Sequence, residues 1–331
     1  MNVTIKDVAR TANVSVATVS RVLNNKNNVS EEAVQAVNRA VKELGYSPSF
    51  LGHDVRKNET KRILAVLGSA EQSFHIDVIR GMQDAAYKEG YDILIASTRN
   101  DPEHEMHLLG MLFSRAVDGA VLISPKLDER TVSDLSRRYK LAVCPERLDV
   151  DGLLCVTINN ERAGYDATHY LIGKGCRRIG LITVTERSYA IIDREEGYKH
   201  ALEEAGLDVD PDLVYRGDFS ADTGSKGCEQ FMSLSEKPDA IFSISDSIAV
   251  GAMTYAVQRG ITIGRDLLFF GFDNTASSHM FIPRLSTVGQ PCYLQGKTVI
   301  EKLILNIQNE IQDKTTYFLP HSLILRESTG D

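Results

Sequence analysis

A chain of 331 residues with 43% hydrophobic and 25% charged side chains has the make-up of an ordinary folded protein, not of a disordered or fibrous one. Its net charge of −8 excludes a uniformly basic nucleic-acid binder, so any anionic partner has to be met by a local patch. Five scattered cysteines with no C-x-x-C pair exclude a disulfide scaffold and read as reduced thiols, and no uncharged apolar run reaches the length of a bilayer. The start, MNVTIKDVAR, carries no apolar leader, and the expected location is the cytoplasm. Residues 1–60 hold eight basic and six acidic side chains, a balance of +2, so the remainder carries −10. That sign asymmetry suits a nucleic-acid-binding end on an acidic body.

Three helix starts share one signature at the N-terminus. Thr4, Ser15 and Ser30 are each a good N-cap, each preceded by a valine (Val3, Val14, Val29) and followed four residues later by another (Val8, Val19, Val34). This is a hydrophobic staple repeated three times, and Thr4 with Asp7 adds a variant of the capping box. Ile5, Val8, Ala9 and Ala12 form the buried stripe of the first helix; Val34, Val37, Val41 and Leu44 form that of the third, which stops at Gly45. In the second helix Val19, Val22 and Leu23 share the inward arc, leaving Val16, Ala17, Ser20, Arg21 and Asn24 outside. A short helix with an exposed Val-Ala pair suits a DNA major groove, where small apolar groups meet thymine methyls and arginine meets guanine or phosphate. Only the dipeptide NV separates the first two helices, as a helix-turn-helix requires. Caps and stripes alone also fit a three-helix packing module with no DNA role.

The segment TIKDVARTANVSVATVSRVLNN followed by LGYSP resembles the DNA-binding head of the lactose/galactose-repressor type of bacterial regulators. The likeness continues through RGMQDAAYKEGYDILI, VDGAVLIS, HYLIGKGCRRIGLI, EEGYKHALEEAGL, DSIAVGAM, FFGFDN and STVGQP. With the exposed face, it makes Thr4, Ile5, Lys6, Ser15, Val16, Ala17, Thr18, Ser20, Arg21 and Asn24 the candidate DNA-contacting residues. The resemblance also implies a hinge helix after the head, here SPSFLGHDVRKNET, with Gly52 at a small-residue position and Val55 where a leucine wedges into the minor groove. His53 and Asp54 replace basic and neutral residues of the family, Gly52 and Asp54 are poor inside a helix, Asp54 faces phosphate repulsion and valine is a shorter wedge, so weaker hinge ordering and less operator bending are expected.

From Lys61 onward, strand-length apolar runs (ILAVLG, DILIAS, GAVLISP, LAVCP, RIGLITV, AIFSIS, LLFFGFD) alternate with amphipathic helices ending at Gly90, Gly175, Gly206 and Gly260. Repeated βα units imply an α/β fold of parallel sheets covered on both faces, and some 270 residues of them imply two lobes. The resemblance implies an all-α head on a periplasmic-binding-protein-like body whose chain crosses between lobes near 157–160, 284–288 and 318–320. The expected organisation is a head at 1–48, a hinge at 49–60 and a body at 61–331. Lobe 1 takes about 61–157 and 286–318, lobe 2 about 158–284 and 319–331.

Ligands of open α/β sheets bind beyond the carboxyl ends of the strands. Those ends supply Ser69, Gln72, Phe74, Ser124, Glu146 and Arg147, then Asp193, Arg194, Phe219, Asp246, Asp273 and Gln290. Aromatic faces pack on pyranose C–H groups, and carboxylates and guanidinium groups bond hydroxyls. The candidate effector-binding set is therefore Gln72, Phe74, Ser124, Glu146, Arg147, Arg194, Phe219, Asp246, Asp273 and Gln290. The resemblance assigns Phe74, Arg194, Phe219 and Asp246 to the effector cleft. Each has a plainer reading: core aromatics for Phe74 and Phe219, a helix cap for Asp246, surface charges for Glu146 and Arg194. The arginines are matched by carboxylates, so a neutral sugar or oligosaccharide is expected instead of a phosphorylated ligand.

Enzyme motifs fail on spacing. QGKTV has Pro291 where a P-loop needs glycine, GKGCRRIG has Arg178 where a dinucleotide fingerprint needs its third, and PEHEMH places His104 and His107 three residues apart instead of four. No catalytic residue, cofactor or metal site is expected. The chain shows no heptad tail, and the resemblance implies a homodimer on a palindromic operator. The stripe Val299, Leu303 and Ile307 fits either core packing or a dimer face. The expected function is a sequence-specific transcriptional regulator, a repressor of carbohydrate-utilisation genes under a sugar effector. The alternatives are a global catabolite regulator with a phosphorylated carrier protein as corepressor, and a sugar sensor with a weakened head.

Overall fold

The computed structural model describes residues 4–23, 29–44, 59–69, 74–309 and 315–331, and the chain divides into two compact units, Met1–Thr60 and Lys61–Asp331. The first unit contains helices α1 (Ile5–Thr11), α2 (Val16–Leu23) and α3 (Glu31–Leu44). The Thr4 N–H and Oγ1 both donate to the Asp7 carboxylate, at 2.9 and 2.7 Å, closing the first turn of α1. Asn13 takes a left-handed conformation (φ 52°), which lets two residues reverse the chain before α2. Val8, Val19 and Val37 are fully buried, with Ala9, Val22 and Ala40 nearly so. In α3 the innermost pair is Val37 and Ala40, while Val34, Val41 and Leu44 are half-buried along its edges.

The second unit has two six-stranded sheets. In the first, β1 (Arg62–Leu67), β2 (Asp92–Ser97), β3 (Gly119–Ile123), β4 (Leu141–Val143), β5 (Leu154–Ile158) and β11 (Thr316–Leu319) run all-parallel in the order β11-β5-β4-β3-β1-β2. In the second, β6 (Ile179–Val184), β7 (Val214–Gly217), β8 (Ala240–Ser243), β9 (Leu268–Asp273), β10 (Ser286–Gly289) and β12 (Ser322–Ile324) follow the order β12-β10-β9-β8-β6-β7. Here the strands are parallel as expected except at the β10–β12 edge, which is antiparallel. Between the strands lie α4 (His75–Lys88), α5 (Pro102–Phe113), α6 (Glu129–Ser136), α7 (Asn160–Gly173), α8 (Tyr189–Glu204), α9 (Ala221–Met232), α10 (Asp246–Gln258), α11 (Ala276–Met280) and α12 (Cys292–Ile307).

The chain passes from the first sheet to the second after β5, returns between β10 and α12, and leaves again between β11 and β12. The second passage falls later than the 284–288 expected, because residues 286–289 pair with β9 and so belong to lobe 2. Lobe 1 resumes only with α12, which answers the question its sequence left open. Val299 and Leu303 are fully buried and Ile307 packs against them, so that stripe is core.

Candidate functional site

In the head, α2 turns Ala17 and Arg21 fully outward and leaves Val16, Thr18 and Ser20 half-exposed, while Val19 and Val22 hold the core. Ser15 Oγ accepts the Thr18 N–H at 3.1 Å and lies 2.8 Å from Thr18 Oγ1, so both hydroxyls are engaged in capping α2. Thr4 and Lys6 are exposed at the start of α1, and Thr4 Oγ1 is committed to Asp7. Asn24, Gly52, His53, Asp54, Val55 and the Ile5 side chain lie outside the described residues. The face that remains is small, apolar at Ala17 and cationic at Arg21, which are the two chemistries a base edge and a phosphate require.

In the body, the two lobes oppose the points where strand order reverses, between β1 and β3 and between β6 and β8. A narrow pocket of about 30 Å³ there adjoins a cleft of about 320 Å³, and the two share Phe74, Glu186, Phe219 and Asp273 in their walls. Seven of the ten candidate residues line the pocket: Phe74, Ser124, Glu146, Arg194, Phe219, Asp273 and Gln290. The cleft adds Ser69, Asn100, Thr185, Asp218, Ser220, Ser245, Ser247 and Thr275.

Arg194 is the best-held of these groups. A Cβ on Gly164 would lie 2.4 Å from the Arg194 carbonyl oxygen, and one on Gly197 would lie 2.0 Å from that of Glu161. Two glycines therefore let α7 and α8 touch backbone to backbone, which aims the guanidinium at the sheet ends. Arg194 Nε donates to Asn160 Oδ1 at 2.9 Å and Nη1 to the Ile244 carbonyl at 2.8 Å; the guanidinium lies 3.5 Å from the Phe272 ring centroid. Burial pulls its pKa down while the Asp273 and Glu146 charges oppose that. Asp273 Oδ1 lies 3.9 Å from Nη1 and accepts the Gln290 amide at 2.6 Å. Burial holds the Asp273 carboxyl above its ordinary range, against the pull of Arg194 and Gln290. Glu146 is raised by burial too, with Ser188 and the Lys126 charge acting the other way.

Ser124 (φ 54°) and Asp273 (φ 105°) follow or end central strands of opposite lobes, and both line the pocket in left-handed backbone. Strain of that kind, on the order of 1–3 kcal/mol each, persists where the surrounding fold over-determines a functional position.

Two expectations change. Asp246 is fully buried and lines neither space; its carboxylate accepts from the Thr275 N–H and Oγ1 at 2.6 and 3.0 Å and from Thr287 Oγ1 at 2.6 Å. The cap of α10 is Ser245, and one residue on, the side chain turns into the sheet, 2.6 Å from where a Gly271 Cβ would be. Asp246 supports Thr275 from beneath, and burial together with the Asp273 charge raises its pKa. Arg147 is likewise outside the pocket: it donates to Asp193 at 3.0 and 3.2 Å and lies 4.5 Å from the Tyr189 centroid. Gln72 lies outside the described residues. The sequence reading missed Glu186 and Ser188 after β6, Asn100 after β2, and Asp218 and Ser220 after β7. All of them follow the carboxyl ends of strands, where ligand groups of open α/β sheets lie.

His104 and His107 are exposed with ring centroids 6.3 Å apart, and among the described residues no group of three or more metal-ligating side chains converges. All five cysteines are free and buried. No helix among the described residues is long and apolar enough to cross a membrane.

Two family descriptions match the chain: bacterial regulatory proteins of the lacI family over residues 4–49, and a periplasmic binding protein-like domain over residues 168–329. The HTH-type transcriptional regulator RegA of Clostridium saccharobutylicum is 35% identical over 331 residues, covering 99% of this chain and 100% of that protein. Catabolite control protein A of Priestia megaterium is 33% identical with the same coverage. The HTH-type transcriptional repressor CytR of Escherichia coli (strain K12) is 33% identical over 98% of this chain and 96% of its own length. Among solved structures, the lac repressor dimer bound to operator and the anti-inducer ONPF superposes with a TM-score of 0.84 at 25% identity over 99% of each chain. The transcriptional regulator CelR in complex with cellobiose gives 0.76 at 28% identity over 98% of this chain and 99% of that one.

Proposed function

Because the chain belongs to the lacI family of bacterial regulatory proteins and is a transcriptional regulator, not an enzyme, we propose that it represses carbohydrate-utilisation genes under the control of a neutral sugar or oligosaccharide. It acts in the cytoplasm as a homodimer on a palindromic operator; the lac repressor, whose fold it shares, is a dimer bound to operator. Effector binding shifts the balance between DNA-competent and DNA-incompetent populations.

The observation that carries the effector reading is the chemistry of the cleft wall. Two phenylalanines, several hydroxyls, an asparagine and a glutamine face it, and among the described residues that line it Arg194 is the one cation against the carboxylates of Glu146, Glu186, Asp218 and Asp273. Arg194 lies 3.9 Å from the Asp273 carboxylate, so the lining carries more negative than positive charge and disfavours a phosphate. It offers a pyranose apolar stacking faces and bidentate acceptors.

Calorimetric titration of a panel of neutral sugars, sugar phosphates, nucleosides and amino acids tests this. A neutral mono- or oligosaccharide is expected to bind, and tight binding confined to the charged or nucleoside ligands overturns it. The DNA half is tested by salt-dependent binding to fragments upstream of the regulated genes. Equal affinity for random competitor DNA, with and without sugar, removes it.

A further inference from the structure

Two ion pairs join the lobes across the mouth of the cleft. Lys126, past the end of β3 in lobe 1, reaches Glu186, past the end of β6 in lobe 2, with Nζ 2.5 Å from Oε1. Arg147, past β4 in lobe 1, makes a two-pronged bond with Asp193 on α8 in lobe 2, Nη2 to Oδ1 at 3.0 Å and Nε to Oδ2 at 3.2 Å. The Arg147 guanidinium also covers the ring of lobe 2's Tyr189, whose hydroxyl bonds lobe 1's Glu129. The partners are partly wet: side-chain exposure is 19% for Lys126 and 37% for Glu186, and 33% for Arg147 and 18% for Asp193. Lobe 1 also braces them from its own side. Glu105 Oε2 accepts the Lys126 N–H at 2.8 Å, and Glu129 Oε1 accepts the Asp149 N–H at 2.9 Å.

We propose that these pairs are an ionic latch that holds the cleft closed before any effector enters. Both bonds exist only while the lobes are together, so opening the cleft breaks both and returns four charged groups to water. Partly buried, two-pronged pairs on braced side chains keep more of their attraction than flexible surface pairs do. The latch therefore shifts the open–closed balance by about tenfold toward the closed form, a factor the effector no longer has to supply. Glu186 has a double position, since it also lines the pocket and the cleft. The consequence for control rests on the reading of the cleft as the effector site; the latch itself does not. With the latch in place, even an uncharged ligand binds more weakly as salt rises, because salt weakens closure and not the ligand contacts.

The test needs no effector, so its outcome is independent of whether a sugar binds. Donor and acceptor dyes on cysteines introduced as Glu89→Cys and Glu203→Cys, exposed positions in lobes 1 and 2, report lobe separation in the full-length apo protein. The wild-type chain is expected to give a single short distance at low salt. At about 1 M salt, where charges are screened beyond about 3 Å, longer distances become populated. Lys126→Glu is expected to open the cleft at low salt, and Lys126→Glu combined with Glu186→Lys to close it again. Arg147→Glu and its combination with Asp193→Arg should behave the same way. The neutral changes Glu186→Gln and Asp193→Asn give smaller openings and guard against misfolding of the reversed-charge variants. Unchanged separation in the single variants, or swaps that stay open in a folded protein, overturns the proposal.

Discussion

The head and the cleft use charge in opposite ways. The head buries six small apolar side chains and sends its candidate functional groups outward, with Ala17 and Arg21 in water. The cleft takes one pair of charges inside, where Arg194 is 8% exposed and Asp273 7%. An exposed functional group can be removed without touching the fold. A buried one cannot, because its partner is left desolvated and unpaired. Binding and stability are therefore separable at Ala17 and Arg21 in the head and inseparable at Arg194 and Asp273 in the cleft.

The largest expected effect comes from the strongest form of that claim. Arg194→Met leaves Asp273 and the Asn160 amide without their partner, so the body loses on the order of 3–5 kcal/mol and the effector affinity falls beyond detection. Denaturant unfolding of the full chain reads the first loss and calorimetry the second. If affinity disappears at unchanged stability, the cleft behaves like the head and the contrast is broken.

A second effect comes from His75, buried beside the cleft with Nδ1 3.1 Å from the Ser69 carbonyl and a pKa pushed down to about 4 by burial. Its folded pKa lies below the ordinary 6.5, so the unfolded chain binds the extra proton across that window. Stability owed to neutral His75 is thus complete above pH 6.5 and lost as pH falls toward 4, up to about 3 kcal/mol in all. Asp273 and Asp246, held above the ordinary carboxylate range, act in the opposite sense: the folded state is favoured by their protons, and stability declines as pH rises from about 4 through their raised values. Comparing thermal melts of wild type and His75→Gln between pH 4 and 7 isolates the histidine, and parallel profiles would show that it contributes nothing.

A third test sharpens the head's side of the comparison. Val19→Ala removes two methyl groups from a core of six residues and is expected to cost about 2 kcal/mol, enough to melt the head while the body's unfolding is unaffected. Smallest in stability is Arg21→Ala, expected to change unfolding by less than about 0.5 kcal/mol. It weakens operator binding by about 10- to 100-fold and lowers the salt slope by about 1 if the partner is a phosphate. A fall in head stability matching the loss of DNA affinity would mean that Arg21 is structural.

Much of this molecule was legible along the chain. The three staples and the 3.6-residue stripes placed α1, α2 and α3, because local caps and spacing decide where short helices begin and which arc they bury. Apolar runs of strand length placed the parallel sheets, and the strand-end rule found seven pocket residues. Beyond that the sequence was silent, and for consistent reasons. Asp246 and Arg147 are the right residue types at the right strand ends, yet one turns under the floor and the other is taken by Asp193. Helix phase at a cap and capture by a carboxylate on another lobe depend on where distant segments meet. The late return at Gly289 likewise reflects pairing of β10 with β9, a choice made by a neighbouring strand and not by residues 286–289 themselves.

What the sequence determined by itself was therefore local and periodic: helix starts, buried arcs, strand runs and the list of groups available to a ligand. What only the tertiary structure decided was which of those groups point into the same space and which are spent on one another. Hydrogen bonds and ion pairs between lobes form across more than forty residues of chain, as from Arg147 to Asp193, and no spacing rule reaches that far.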